Sequence, residues 1–245
     1  AVLVVFDKDP QAIAVAKNLA KNDSRIKVVH DSFANIINAL ASLNIDKVDG
    51  IMADLGVSSP QLDDGSRGFS FMRDGVVDMR MDTSRGQSVG EWLQMVDEET
   101  LANVLFEYCE ERYSRRIARA IKQMEYYNST LELAEVIKQA HPNWQKGKHP
   151  ATQSFQAMRI FINNDLGDVE TFSDASLTVL KPNGRLAVIS FHSLEDRRIK
   201  QFLQKHSKGQ YPEDEQLPIS PKRPKYLTKP ERTAPSDGEV KQNPR

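Results

Sequence analysis

The sequence predicts an α/β fold in which a parallel sheet is interrupted by a block of helices. Short apolar segments alternate with amphipathic ones at the start of the chain, as in consecutive βαβ units. Residues 91–141 then show only helical patterns, and the strand–helix alternation returns after residue 150. With 245 residues, of which 39% are hydrophobic, the chain can form one large core or two modest ones.

The first part of the chain contains three predicted strands and two predicted helices. Residues 2–6 are apolar and rich in β-branched side chains, which is typical of a buried parallel strand. Pro10 follows at a position suited to the first turn of a helix. Further strands are predicted at 26–30 and 48–54. The helix between them is predicted over 33–43, with an apolar face of Phe33, Ile36, Ile37, Leu40 and Leu43.

The later elements follow a long polar segment. Residues 56–90 are rich in Gly, Ser, Asp and Arg, and a loop of this length is usually functional or contains short elements of its own. The elements predicted beyond it are helices at 91–95, 97–109, 112–127, 130–140, 152–164 and 166–180, a turn at 181–184, a strand at 185–190, a helix at 194–206 and an extended Pro-rich stretch after 209. We expect residues 1–72 and 149–245 to form the sheet domain and residues 73–148 an inserted helical domain.

Composition excludes several classes of protein. No apolar run approaches the roughly 18–20 residues that a membrane-spanning helix needs, so we expect no membrane association. Cys109 is the single cysteine, which excludes a disulfide scaffold and a cysteine-based zinc site and favours a reducing, cytoplasmic location without a bound metal. The net charge is −1, but residues 197–245 contain 12 Lys and Arg against 6 Asp and Glu. This basic end fits either a polyanionic partner or a solvated tail.

Asp7 ends the first predicted strand. In dinucleotide-binding folds, an acidic residue at a strand end binds the ribose hydroxyls of a nucleotide, and a carboxylate can accept from two hydroxyls at once. Alone, Asp7 fits this role and that of a turn residue equally well. Such folds also place a Gly-rich turn about 20 residues earlier, whereas the first glycine here is Gly50. Because the chain begins inside a strand pattern without an initiator Met, we expect its N-terminal segment to be missing.

The segment at 54–61, DLGVSSPQ, follows the third predicted strand and faces the same ligand edge as Asp7. In methyltransferases that act on exocyclic amines, a polar turn with a proline at this place accepts hydrogen bonds from the amine and orients the nitrogen lone pair. Ser58 and Pro60 are therefore candidate catalytic residues. The same residues also fit a well-formed Ser/Pro turn without a catalytic role.

Six ordered motifs resemble the bacterial family of small-subunit rRNA cytosine-N4 methyltransferases, known as RsmH or MraW. They are DKDP at 7–10, DLGVSSPQLDD at 54–64, RGFSFMR at 67–73, DMRMD at 78–82, HPATQSFQAMR at 149–159 and SFHSLEDR at 190–197. The motifs span nearly the whole chain, which makes the resemblance far more specific than a single Gly-rich motif. It implies a Rossmann-like methyltransferase sheet, dependent on S-adenosylmethionine, with an inserted all-helical substrate-recognition domain.

The resemblance also implies the residues of the donor site. Asp7 would bind the ribose hydroxyls of S-adenosylmethionine and Phe33 would flank the adenine, although Phe33 fits the core as well. Asp54 and Gln61 would offer polar contacts near the adenine or the amino-acid end. This chain departs from the family at both ends, because the N-terminal Gly-Gly-His loop and the segment after the closing Asn-Pro-Arg are absent.

The implied substrate is a cytidine in the decoding centre of 16S rRNA in the small ribosomal subunit. Arg115 and Arg119 share one face of a predicted helix, and such a stripe can either track RNA phosphates or form a solvated face balanced by glutamates. His149 and Arg159 lie in the motif that lines the family's catalytic cleft. His192 follows a strand on the ligand side, although a lone histidine is weak evidence of catalysis.

Two other functions remain open from the sequence. A non-catalytic RNA- or ribosome-binding protein is favoured if the Gly-rich loop is absent from the natural gene product. A nicotinamide-dependent dehydrogenase accounts for the acidic strand end, but not for the motifs at 54–64 and 190–197. The sequence is compatible with a homodimer and does not specify an oligomeric state.

Overall fold

A computed structural model describes residues 1–142, 147, 149–209, 211 and 223–243. Two compact units are present, Ala1–Glu195 and Asp196–Arg245. Three predicted features lie partly outside the described residues: the end of the inserted helical domain at 148, the start of the Pro-rich stretch at 210–222, and the chain end at 244–245.

The strands of the described residues pair in parallel, which confirms the mixed α/β prediction. They are β1 (Leu3–Asp7), β2 (Ile26–His30), β3 (Val48–Asp54) and β4 (Leu180–Ile189). In the first pair Asp7 lies opposite His30, and in the second Asp54 lies opposite Ile189. Described hydrogen bonding thus gives two two-stranded parallel sheets, β1–β2 and β3–β4. Each pair has its carboxyl ends at one edge.

Helices supply most of the described structure. They are α1 (Pro10–Asn22), α2 (Ile36–Ser42), α3 (Ser59–Asp63), α4 (Val89–Met95), α5 (Glu98–Cys109), α6 (Ser114–Lys122), α7 (Thr130–Ala140), α8 (Ala151–Ile162), α9 (Asp165–Val179), α10 (Ser193–Lys208) and α11 (Asp237–Gln242). Several begin at short polar caps whose oxygens accept from otherwise unpaired amides. Asp9 caps α1, Asp97 caps α5 and Ser129 caps α7.

The predicted turn at 181–184 is wrong as an element boundary, because these residues lie inside β4. The pairing jumps from Val48 opposite Leu180 to Gly50 opposite Arg185, so β4 carries three extra residues at this point. Asn183 adopts a left-handed backbone conformation with φ of 66°. The residues predicted to form a turn therefore form a bulge within a continuous strand.

The predicted helix at 33–43 is also corrected. A 3₁₀ turn at Phe33–Asn35 precedes α2, and the hydroxyl of Ser32 caps that turn by accepting from the amide of Ala34. The tighter turn changes the angular phase of the side chains that follow. Ile37, predicted on the apolar face, is 44% exposed.

A large apolar core lies among α4–α8. Five of its fully buried side chains are Leu93, Leu105, Ile117, Ile137 and Met158. α5 packs against both α6 and α8, and α7 packs against α6 and α8. The helix predicted at 112–127 is shorter in the structure, since α6 covers only Ser114–Lys122. This core contains side chains from the predicted insertion and from α8, which lies outside it. The division into two domains stays a prediction.

Within the part of the chain that the structure describes, the search for bilayer-spanning helices finds none of sufficient length and apolarity.

Shortening a core side chain tests the role of the helical core. We expect Leu105→Ala to lower the free energy of unfolding by about 2–5 kcal/mol, because a fully buried leucine leaves a cavity that neighbours fill only in part. Urea denaturation measures the change. Leu131→Ala, at a side chain 49% exposed on α7, is the control. Equal losses in the two variants would contradict the assignment of the core.

Candidate functional site

The carboxyl ends of β1 and β3 are tied together by the carboxylate of Asp9. Asp9 caps α1, with Oδ1 accepting from the amide of Gln11 at 2.9 Å. Its Oδ2 accepts from Gln61 Nε2 at 2.7 Å and from Arg67 Nη1 at 2.9 Å. All three side chains are buried. The segment after β3 is therefore fixed against the segment after β1, and both face one edge of the fold.

Arg67 extends this network into the polar loop. Its Nη2 donates to the carbonyls of Arg80 and Met81, each at 3.0 Å. The same loop is held by Asn163 at the end of α8, whose Nδ2 donates to the carbonyl of Met79 and whose Oδ1 accepts from the amide of Met81. Residues 79–81 are thus fixed from two sides, which gives this long loop a defined conformation.

The turn after β3 is organised by a capping box. The hydroxyl of Ser58 accepts from the amide of Gln61, and Gln61 Oε1 accepts from the amide of Ser58 at 2.9 Å. Pro60 lies in the first turn of α3. Asp54, Ser58 and Pro60 are exposed at this edge, whereas Gln61 is buried with both ends of its amide bonded. Gln61 therefore shapes the turn, and donor contact by Gln61 stays a prediction.

Asp7 lies half-buried at the end of β1, and its Oδ1 accepts from the amide of Asp9 at 2.8 Å. Burial raises the pKa of Asp7, with the backbone hydrogen bond from Asp9 acting against it. Phe33 follows β2, the strand paired with β1, and is also half-buried. Its ring meets Phe172 edge to face, with centroids 5.1 Å apart. Phe33 therefore packs on the buried ring of Phe172 and is partly accessible, and its contact with adenine stays a prediction.

Lys8 links the end of β1 to the start of α9. Its Nζ lies 2.5 Å from Asp168 Oδ2 and donates to the carbonyl of Asn163 at 2.7 Å. Asp168 also accepts from the hydroxyl of Ser32 at 2.5 Å. Sequence reasoning missed Lys8, and it also missed Asp9, Arg67 and Asn163. Asp9 alone had a local signal, as an N-cap residue directly before a proline.

Arg159 faces two acids, the buried Glu195 and the half-buried Asp165. Asp165 and Glu195 both interact electrostatically with its guanidinium and with each other. Burial raises the pKa of Asp165 to about 7, and burial also raises that of Glu195. Asp165 Oδ2, Glu195 Oε2 and Arg159 Nε are buried without a hydrogen-bond partner among the described residues. Such unpaired buried groups are concentrated at functional sites.

His192 lies beside this group, after β4. Burial and the nearby charge of Arg159 lower the pKa of His192, which favours its neutral form. The structure thus brings two predicted residues, Arg159 and His192, into one electrostatic cluster. It also places them in the same compact unit as Asp7 and Asp54.

The other predicted substrate residues lie elsewhere in that unit. His149 is half-buried against Phe71, with ring centroids 4.6 Å apart, and burial lowers its pKa. Arg115 is exposed on α6, and Arg119 pairs with Glu98 on α5 at 3.3 Å. Glu98 therefore balances one arginine of the basic stripe, and contact of the stripe with RNA stays a prediction. Among the described residues, no group of three or more His, Cys, Asp or Glu side chains could hold a metal ion.

An α/β fold with acidic residues at the carboxyl ends of its parallel strands is the arrangement in which open-sheet proteins bind ligands at that edge. Residues 1–245 match the model of the MraW methylase family, and the chain belongs to that family. It is a methyltransferase.

Relatives in three organisms are similar over nearly the whole chain, and each is named ribosomal RNA small subunit methyltransferase H. The Psychrobacter cryohalolentis protein is 74% identical over 245 residues, which cover all of this chain and 72% of the relative. The Psychrobacter arcticus protein is 73% identical over the same length, covering 73% of the relative. The Acinetobacter baylyi protein is 57% identical over 242 residues, covering 98% of this chain and 79% of the relative.

Removing the cation of the buried pair tests the Asp9 network. We expect Arg67→Met to lower the free energy of unfolding by about 3–5 kcal/mol, because it leaves the buried carboxylate of Asp9 without its counter-charge. Arg25→Met is the control, since the pair between Arg25 and Asp23 is exposed and we expect no measurable change. Chemical denaturation at pH 7 measures the free energy of unfolding of both variants. An unchanged free energy of unfolding in Arg67→Met would refute the structural role of the pair between Arg67 and Asp9.

The raised pKa of Asp165 predicts that this residue makes the folded protein less stable as the pH rises. The folded state holds this proton up to about pH 7, whereas the unfolded chain releases it near 3.8. The contribution of Asp165 to the free energy of unfolding therefore decreases as the pH rises from about 4 to 7, and it is constant above pH 7. We expect Asp165→Asn to gain stability relative to the wild type across that window. Asp174→Asn, exposed on the same helix, is the control. Parallel stability curves from pH 4 to 8 would contradict the prediction.

Proposed function

We propose that this protein transfers a methyl group from S-adenosylmethionine to the N4 amine of a cytidine in the decoding centre of 16S rRNA. The observation that carries the proposal is the tie from Asp9 to Gln61 and Arg67, which brings the acidic end of β1 and the polar turn after β3 to one edge. Family membership supports methyl transfer, and the relatives' names support ribosomal RNA of the small subunit as the substrate.

The donor site proposed here consists of Asp7, Phe33 and Asp54. Asp7 suits the ribose hydroxyls, because its carboxylate accepts one hydrogen bond from the amide of Asp9 and has further lone pairs available. Hydrogen bonds from the hydroxyls would also stabilise the charged form, which burial disfavours. Phe33, beside it after β2, suits contact with the adenine face. Asp54, exposed at the end of β3, suits the polar groups of the donor. S-adenosylmethionine supplies an electrophilic methyl group when bound.

The work left to the protein is alignment. The lone pair of a cytosine N4 amine is delocalised into the ring, so the nitrogen has to be held in line with the methyl group and its bonding changed toward a pyramidal form. Acceptors on the N4 hydrogens favour that form. The exposed turn of Asp54, Ser58 and Pro60 can offer them, Asp54 through its carboxylate and Ser58 through the second lone pair of a hydroxyl that already accepts from the amide of Gln61. His192, whose neutral form is favoured by burial, is a second candidate catalytic residue. Because its Nδ1 accepts from the amide of Leu194, its Nε2 carries the proton and can donate to an acceptor of the base.

The target base has to leave its stack to reach this edge, and RNA is read most easily where bases are already unpaired. We propose that Arg159 and His149 contact the RNA near the reacting base and that Arg115 and Arg119 contact phosphates farther away. Residues 1–72 and 149–245 would form the Rossmann-like donor domain, and residues 73–148 would form the helical recognition domain. A homodimer stays compatible with this arrangement.

Product identification tests the reaction. Full-length protein is incubated with labelled S-adenosylmethionine and small ribosomal subunits that lack the modification, and the digested RNA is separated into nucleosides. We expect label in N4-methylcytidine, lost on Asp54→Ala and kept in Asp63→Asn, a change at an exposed position of α3. Label in another nucleoside would refute the cytosine-N4 assignment, and no label would favour a non-catalytic RNA-binding protein.

Donor affinity tests the role of Asp7 separately. We expect Asp7→Asn to weaken S-adenosylmethionine binding by roughly tenfold or more, because a hydrogen bond to a charged group is worth about 1.5–3 kcal/mol. Isothermal titration calorimetry measures the change. Asp63→Asn serves again as the control, and unchanged affinity in Asp7→Asn would remove Asp7 from the donor site.

A further inference from the structure

Phe191 is 82% exposed, although a phenylalanine side chain normally contributes a large area to a core. It lies two residues after the end of β4, and Ile189 at that end is paired with Asp54. The amide of Leu55 also donates to the carbonyl of Ile189 at 2.9 Å. The exposed ring therefore lies at the same edge as the proposed acceptor turn.

The backbone that carries this ring is held in place. The backbone amides of His192 and Phe191 form hydrogen bonds that stabilise the carboxylate of Glu195, a residue only 1% exposed. The Arg159 guanidinium acts on the same carboxylate. His192 Nδ1 accepts from the amide of Leu194 at 3.4 Å. The ring is thus displayed by a bonded turn whose anchor is buried, which lowers the entropy cost of using it for binding.

The surroundings of Phe191 favour a nucleobase as the group that covers it. Its sequence neighbours Ser190 and His192 are polar, and Ile189, 41% exposed, adds apolar surface two residues away. Arg159 brings a cation to this turn through its interactions with His192 and Glu195, beside the acids Glu195 and Asp165, and the proposed acceptor turn lies at the same edge. Aromatic rings beside cations are the usual platforms for unpaired bases, because every base has a π face and its backbone is anionic.

We propose that Phe191 is a nucleobase-stacking residue of the RNA site and that Glu195 positions it. The proposal rests on the RNA substrate in the function proposed above and deepens it, since it names the residue that receives a base taken out of its stack. Phe191 contacts the base directly, whereas Glu195 acts through the backbone amides that it accepts from.

Fluorescence of 2-aminopurine tests the stacking. The probe is a single-stranded ten-nucleotide RNA with 2-aminopurine beside a cytidine, titrated with full-length protein. We expect fluorescence quenching on binding, lost in Phe191→Ala, with affinity weaker by about 5- to 100-fold, as the loss of one base–aromatic stack predicts. Phe191→Trp should retain the quenching. Phe106→Ala, at a ring 57% exposed on α5, is the matched control.

Two results would overturn the stacking role: wild-type quenching and affinity in Phe191→Ala, or an equal loss in Phe106→Ala. Circular dichroism checks that each variant is folded. If the wild-type protein shows quenching that depends on Phe191 but labels no cytidine, the proposed reaction fails while the stacking site stands. If the wild-type protein labels cytidine but its quenching and affinity do not depend on Phe191, the stacking site fails while the proposed reaction stands.

A double-mutant comparison tests Glu195. We expect Glu195→Ala to weaken RNA affinity in the wild-type background and to add little in the Phe191→Ala background, because it acts through that ring. Glu195→Gln retains an acceptor for the two amides and should recover most of the affinity. Equal losses from Glu195→Ala in both backgrounds would show a general structural effect and refute positioning.

Discussion

The arrangement of the candidate site depends on one buried carboxylate. Asp9 is 3% exposed, and it accepts from a backbone amide, a glutamine amide and an arginine guanidinium in three different segments. A buried charge is costly unless it is paired and its remaining lone pairs are bonded. Both conditions are met here. Any displacement of the loops after β1 and β3 relative to each other would leave at least one of these groups unpaired, so the network favours a single arrangement of the edge.

The segments next to Asp9 are also held by paired and hydrogen-bonded side chains, but with different partners. Lys8, adjacent to Asp9, bonds the end of α8 and pairs with Asp168 in α9. Asn163 then bonds the loop at Met79 and Met81, which also receives Arg67. The long polar loop needs no extended secondary structure of its own, because its backbone groups are bonded by side chains from elements that already define the edge. For this reason a loop rich in Gly and Ser can have a defined shape.

Sequence patterns predicted the local elements better than the contacts between them. The apolar runs at β1, β2 and β3 and the turn residues around Ser58 act over a few positions, so composition and spacing reveal them. Arg67 reaches Asp9 across 58 residues, and nothing in the local sequence distinguishes it from other arginines in the loop. The phase change at Phe33 and the bulge at Asn183 were missed for a related reason, because each depends on how a short polar segment is bonded in three dimensions.

The site residues divide in the same way. Asp7 and Asp54 became candidates because a strand end is a local signal, and family resemblance added Arg159 and His192 as further candidates. The pairing of Arg159 with both Asp165 and Glu195 had no such signal. Burial raises the pKa of each acid, and the single guanidinium that they share offsets this only in part. Both oxygens of the Asp9 carboxylate are bonded, although Arg67 Nε has no hydrogen-bond partner among the described residues, whereas each acid beside Arg159 keeps one unpaired oxygen. That contrast assigns structural support to the first and leaves the second with unused hydrogen-bonding capacity beside the loop that displays Phe191, which is where a polar substrate gains most from binding.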